Sequence, residues 1–414
     1  MAYSGSIFSF DHSWTEDVIE RLTWLTDVLT HRDGSEQRRQ PRLYPRRMLE
    51  YNVLPTSPLL QTRLDNFLWS KSDAGMVVPI WTDAQRLTVQ ATSGTATVTV
   101  STTTYDYDTN GYVILWASPS SYEVVAIQSL TSTALTLEEN LASTWPIGTV
   151  VAPARFARLT QSMPGSQKAH NVRPYKLVFE IDEASYSTNR ITTLSPTQYL
   201  SRDTFEFPTV PTSTEASDDL DFTYEHTYPI IDAQTGAVAL DTGARDTPTL
   251  AIPYAQKFRN RAQISEWWGF LNARQGRRVP FWMPSWEKDF QATYIFGAVN
   301  PNGYIKYTAN GYADWIDVAD GRKDIAIISE RDTTSYSRGT AVYRRIINAV
   351  NNGDGTEQIY CPLADFAIGT SDAEKVRVSF LRYCRLDSDA AEIAWKTSCI
   401  ATTRMTMREM YSVP

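Results

Sequence analysis

The sequence predicts a mainly β protein with a few helices, an α+β chain arranged as two similar halves. Three observations predict this. Bulky and polar residues alternate one for one in runs along the whole chain, the period of a strand with one face against a core. Helical spacing of apolar residues stands out in only two places. The frame "GMVVPIW" at 75 to 81 returns as "GRRVPFW" at 276 to 282, with Gly, Val, Pro and Trp all displaced by 201 positions. With 414 residues, 42% of them hydrophobic, the chain can build several cores. Each half is read as a β-sandwich or hairpin unit with one helix, followed by a small β-barrel-like module.

The elements follow in order. "FSFDHSW" (8 to 14) returns in chemical type as "FTYEHTY" (222 to 228). Phe8, Phe10, His12 and Trp14, and likewise Phe222, Tyr224, His226 and Tyr228, are read as core faces of strands, with the histidines packed and hydrogen-bonded rather than ligating. Next come "YPRRMLEY" (44 to 51) and "TPTLAIPY" (247 to 254), which share Pro45/Pro248 and Tyr51/Tyr254. In the first helix Ser57 caps, Pro58 takes the first helical position, and Leu60, Leu64, Phe67 and Leu68 form the apolar stripe. In the second, Ile264, Trp267, Trp268 and Leu271 form it. The repeated phrase is then a helix-to-strand junction. Gly75 and Gly276 end the helices in a left-handed conformation, Pro79 and Pro280 sit where a strand begins at Val78 or Val279 or runs along an edge, and Trp81 and Trp282 are buried.

Short alternating strands with close turn signals mark a β module at 88–160 and another at 291–385. "NNGDGTE" (351 to 357) reads as a hairpin turn rather than a calcium loop. The expected division is a first unit at 1–87, its module at 88–160 and return strands at 161–205. A second unit follows at 206–290, with 206–221 as a Pro-, Ser- and acid-rich linker, then its module at 291–385 and return strands at 386–414.

Enzyme chemistry is hard to find. Phosphate-binding glycine loops, HExxH and nucleophile elbows are absent, so no catalytic residue, metal or cofactor is expected. Glu180 and Asp182, two apart in "KLVFEIDEAS", form the best acid pair a glycosidase might use, although wet strand faces carry such acids routinely. Cys361, Cys384 and Cys399 lack CxxC or metal spacing and read as buried thiols. The formal charge of −8 argues against nucleic-acid binding. No run is apolar enough to span a membrane, and the opening "MAYSGSIFSF" has no basic start, so folding in a cytosol is expected.

The charges are patterned. Arg32, Arg38, Arg39, Arg42, Arg46 and Arg47 face only Asp33 and Glu36, whereas Glu215, Asp218, Asp219, Asp221 and Glu225 run without a base. Arg38, Arg39, Arg42, Arg46 and Arg47 on one side, and Glu215, Asp218, Asp219 and Asp221 on the other, are the candidate assembly interface, closing within the chain or between subunits. Two solvated charge runs are the alternative.

Residues 12 to 51, with an aromatic strand, a "DGSEQR" turn and a "PRR…Y" strand, resemble the opening of distal tail and baseplate proteins of long-tailed bacteriophages. "WWGFLNARQGRRVPFWMPSWEKDF" (267 to 290) is similar to the helix-to-strand segment of such a family. The resemblance implies a ring-forming structural protein of the virion tail tip. It would join the tail tube to the hub or fibres, contact tube, hub and tape-measure proteins, and assemble in the host cytoplasm without catalysis. The duplication departs from single-copy members. It favours a homo-oligomeric trimer with pseudo-six-fold symmetry, a hexamer being the alternative. A carbohydrate- or receptor-binding tail protein, or a glycan-degrading enzyme, are the competing readings.

Overall fold

A computed structural model of the chain describes residues 5–31, 35–71, 75–109, 111–160, 164–165, 173–182, 190–191, 195–205, 223–225, 230–232, 234, 236, 238–240, 248–297, 303–314, 316, 322–329, 341–363, 373 and 376–410. The protein is mostly β, with antiparallel strands in several sheets and two α-helices among the described residues. Neither helix is long and apolar enough to cross a membrane.

Strand alternation places the core as the period-2 rule requires. In Arg46–Val53, residues Arg47, Leu49, Tyr51 and Val53 point inward. This strand pairs with Val18–Thr23 on one edge and Tyr175–Ile181 on the other. Tyr175–Ile181 in turn pairs with Val150–Leu159, which pairs with Met76–Pro79. Later in the chain Thr223–Glu225, Thr249–Phe258, Ala401–Glu409, Val376–Leu386 and Phe281–Pro284 pair in the same order. Leu177 stands opposite Tyr51, and Met405 opposite Tyr254. The strand Ala390–Trp395 pairs with Val18–Thr23 and with the start of Ala401–Glu409, so one ladder runs into the other.

Helix α1 (Pro58–Lys71) begins where the Leu60 amide donates to the Ser57 hydroxyl at 3.3 Å. Helix α2 (Arg261–Arg274) begins where the Gln263 amide donates to the Asn260 side chain at 2.9 Å. Leu64 and Leu68 of α1 and Ile264, Trp267, Trp268 and Leu271 of α2 enter one hydrophobic core with strands of both ladders.

Several sequence expectations need correction. Gly276 does have a left-handed backbone (φ +68°), after Gln275 at φ 53°. Gly75 does not, and is required instead because a Cβ there would collide with the Phe156 ring. The two copies of the phrase adopt different local structures. Pro79 closes the strand Met76–Pro79 and Trp81 opens a 3₁₀ turn, whereas Pro280 precedes its strand and Trp282 lies inside it. The strands therefore begin at Met76 and Phe281, not at Val78 and Val279. Ladder positions match at 205 positions instead. Pro79 faces Ala154 as Pro284 faces Leu381, and the next amides, of Ile80 and Ser285, donate to Pro153 and Phe380 at 2.8 Å each. This sets Trp81 against Trp286.

Residues 8–14 form no ladder strand, and Trp14 is 43% exposed. The Phe8 amide donates to the Val77 carbonyl at 2.9 Å beside a parallel bridge from Ile7 to Val77. The matching arrangement is Phe205 on Trp282 (2.7 Å) beside a bridge from Thr204 to Trp282. Phe205, which the sequence division placed in the first half, thus makes on Phe281–Pro284 the contact that Phe8 makes on Met76–Pro79. Phe222, His226, Tyr228 and the linker 206–221 lie outside the described residues, and Tyr224 is exposed rather than core.

Each module has a core of its own. In the first, Thr97–Thr99, Ala134–Leu137, Ser121–Leu130 and Tyr112–Ser118 pair in that order onto Val150–Leu159. In the second, Ala292–Phe296, Tyr304–Thr308, Thr356–Tyr360 and Asn348–Asn351 form a four-stranded sheet, and Ala341–Arg345 and Asp324–Ser329 pair onto Val376–Leu386. "NNGDGTE" is the hairpin turn, with Gly353 and Gly355 at φ +74° and +82°. Cys361 and Cys384 are buried, but Cys399 is exposed at a turn.

Candidate functional site

The arginine-rich segment folds as the hairpin Asp27–Thr30/Glu36–Arg39, and alternation splits its charges between two faces. Glu36 accepts from the Nε and Nη2 of Arg385, at 2.8 Å each. Burial raises the Glu36 pKa, but the hydrogen bonds and charge of Arg385, together with the charges of Arg38 and Arg408, hold the carboxyl below its ordinary value. Arg38 reaches the Met410 sulfur at 3.4 Å, so this face docks the hairpin on the later ladder. Arg42 donates to the carbonyls of Thr23 (2.6 Å) and Trp24 (3.1 Å). Arg39 and Arg46 are exposed, Arg46 lying 3.7 Å from Glu180. Leu29, Leu43 and Tyr44 are exposed around them, at 66%, 73% and 51%.

Arg47 does not belong to this surface. It is 4% exposed, because it shares the inward face with Leu49 and Tyr51. Its Nε donates to Glu20 at 2.7 Å and its Nη1 bonds Asp106. Arg190 grips Glu20 at two points, 2.8 and 2.7 Å, and stacks 4.3 Å from the Trp268 ring. Trp395 donates its indole N–H to Glu20 at 3.0 Å. Arg155 holds Asp106 at 2.9 Å, and Arg261, at the start of α2, holds Asp83 at 2.9 Å while donating to the carbonyls of Thr82 and Thr104.

Burial opposes the charges of Asp106, Asp83 and Arg47, and the opposite charges around them win. The Asp106 carboxyl is held far below its ordinary range against its burial by Arg155 and Arg47. Asp83 is held down, likewise against burial, by Arg190 and Arg261. Arg47 is held protonated, against burial, by Asp106 and Glu20. Carboxylates so occupied by guanidinium groups do not accept protons near neutrality. The network's chemistry is recognition between segments, joining residues 20–190 to Arg261, Trp268 and Trp395.

This network went unread in the sequence, although strand alternation carries its signal. Glu20 lies between Val18 and Leu22 on an inward face, as Arg47 precedes Leu49. Glu215, Asp218, Asp219 and Asp221 lie outside the described residues. Glu225, from the same acidic run, pairs with Arg408 (3.3 Å) and not with the hairpin. Glu180 and Asp182 are each met by an arginine, Asp182 by Arg158 at 2.5 Å. His12 is 3% exposed, its Nδ1 accepting from the Asn52 amide (3.0 Å) and its Nε2 donating to the Glu16 carbonyl (2.9 Å).

Among the described residues, no group of three or more His, Cys, Asp or Glu side chains is placed to hold a metal. An open cleft of 690 Å³ between the start of the chain, α1 and the first module is lined by Phe10, Arg63, Tyr122 and Glu123. The Glu123 carboxylate there is occupied by the amides of Ala142 and Ser143 and the Trp145 indole. No protein-family model and no curated protein sequence matches the chain.

Proposed function

We propose that the chain is a tandem duplication whose two copies form a ring-building structural subunit of a bacteriophage tail tip, without catalysis. The carrying observation is the correspondence of the two five-stranded ladders in order and register, extending to Phe8 on Val77 and Phe205 on Trp282. Five strands admit many orders, and a shared register down to single amides is the outcome expected of a duplicated unit. Each copy is then a β-sandwich or hairpin unit with one helix and a barrel-like module, and the second copy starts before Phe205.

The tail identity rests on the sequence resemblance. The buried network supports the same reading, because it fixes the copies in one orientation, as a ring with units at set angles requires. A trimer offers six alike units to a six-fold tail tube while its other face presents three-fold differences to a hub. The subunit belongs to the virion and assembles in the infected bacterium's cytoplasm, contacting tube, hub and tape-measure proteins. The exposed side of the hairpin, with Arg39, Arg46, Leu29 and Leu43, is the proposed contact between subunits. Light scattering on the purified protein alone tests this: a particle near three times 46.8 kDa carries the trimer, near six times the hexamer. A stable single chain that binds no tube protein sinks the assembly reading.

A further inference from the structure

The four-stranded sheet of the second module buries Ile295, Ile305, Tyr307 and Ile359 on one face and turns the other to solvent. Across that outer face the register aligns Phe296, Tyr304, Tyr360 and Asn348, one from each strand. Tyr304 is the hub, with ring centroids of Phe296, Tyr294 and Tyr360 at 5.4, 5.9 and 6.0 Å. Phe296 and, beside the row, Val350 are 41% and 39% exposed.

The fold does not require these rings. In the first module Thr97–Thr99 and Ala134–Leu137 pair as Tyr304–Thr308 and Thr356–Tyr360 do, and their outward residues are Thr97, Thr99, Ala134 and Thr136. A cluster of half-buried tyrosines ending in the exposed Phe296, on the outward face of only one of two modules, marks a contact surface.

Its size and charge choose the occupant. Four strands about 4.8 Å apart, three of five residues and one of four, give a face of roughly 300 Å². A stable protein partner needs roughly 800 Å² per side. Lys306, in the neighbouring row, is paired with Asp354 at 3.2 Å, so nothing here favours an anionic ligand. Aromatic rings take the C–H face of a sugar, while the Tyr294 and Tyr304 hydroxyls and the side-chain NH2 groups of Asn348 and Gln358 suit sugar hydroxyls; the Tyr360 hydroxyl donates to Gln358 and the Asn348 oxygen accepts from Ala349, each at 2.9 Å. The rings also succeed one another at the strand step, a spacing on which consecutive sugar units can be laid.

We propose that this face binds a neutral oligosaccharide laid across the strands from Phe296 to Asn348. The proposal stands apart from ring assembly. The full chain is titrated calorimetrically with maltohexaose, cellohexaose and chitohexaose. At least one should bind, and Tyr304→Ala should weaken it by about tenfold, one aromatic contact's worth. Tyr304→Phe, which keeps the ring, should stay within a few-fold of wild type, and the first-module variant Thr97→Ala/Thr136→Ala should bind unchanged. Should Tyr304→Ala fail to fold by circular dichroism, Phe296→Ser at the exposed end of the row replaces it. The proposal is overturned if none of the three sugars binds at millimolar concentration, if the ring-deleting variant binds as wild type does, or if a tail protein competes for the face.

Discussion

Glu20 and Arg190 lie 170 positions apart in sequence and meet in a two-point contact at 2.8 and 2.7 Å, both side chains shut away from water. Around them Arg47 and Trp395 complete the coordination of one carboxylate. A buried pair of this kind contributes little over an apolar replacement, but breaking it from one side leaves uncompensated charge.

Glu20→Gln should therefore cost about 3–5 kcal/mol, because Arg47 and Arg190 keep their buried charges and lose the carboxylate they share, leaving Asp106 and Asp83 to face them. The exposed pair Arg21–Glu392 is the comparison: Arg21→Ala should cost under about 1 kcal/mol. Urea unfolding of both variants checks this, and similar losses would refute the central role of the network.

Trp282 is 1% exposed and packs on Tyr199 and Tyr383, so Trp282→Ala should cost about 3–5 kcal/mol. Trp69, on the outer side of α1, is 91% exposed, and Trp69→Ala should stay within about 0.5 kcal/mol of wild type. Thermal melts of the two variants separate the outcomes.

Gly75 and Gly276 should respond differently to repair. Gly75→Ala fails against the Phe156 ring, at a cost of about 1–3 kcal/mol, and Phe156→Leu should recover part of it. Gly276→Ala also meets Asp389, but removing that side chain should recover little, because φ +68° remains strained for alanine. Equal recovery in both double variants would contradict this account.

Burial lowers the His12 pKa below its ordinary 6.5, against the opposing bond to the Glu16 carbonyl and the charge of Asp11, so the folded state favours the neutral ring. Protonation would set a second N–H against the Asn52 amide. The stabilisation is complete above pH 6.5 and is lost as pH falls below it toward the folded pKa. Wild type should lose more unfolding free energy between pH 7.5 and 5 than His12→Gln does, and parallel pH profiles would rule the effect out.

Arg39→Glu with Arg46→Glu should leave the monomer folded and weaken subunit association, because both groups are exposed. Arg38→Glu should instead loosen the hairpin from Met410 and lower the melting temperature. Analytical ultracentrifugation beside thermal melts tells surface from dock, and unchanged association in the double variant removes the hairpin from the interface.

The sequence by itself determined the local structure. Ser57 with Pro58 fixes the start of α1, the spacing of Trp267, Trp268 and Leu271 fixes the inner face of α2, and one-for-one alternation fixes which face of Arg46–Val53 turns inward. These depend on neighbours within a few positions, which a sequence displays directly. Tyr51 and Tyr254, alike in sequence position, also both lie in paired strands, opposite Leu177 and Met405. The tertiary structure decided what distant segments share. It matched Trp81 with Trp286 rather than Trp282, and Phe8 with Phe205 rather than Phe222, because a ladder aligns hydrogen-bonding amides and not similar letters. It also moved Arg47 from an expected surface patch into the core. An arginine's place depends on whether carboxylates meet it there, and Glu20 and Asp106 arrive from 27 and 59 positions away through strand pairing alone.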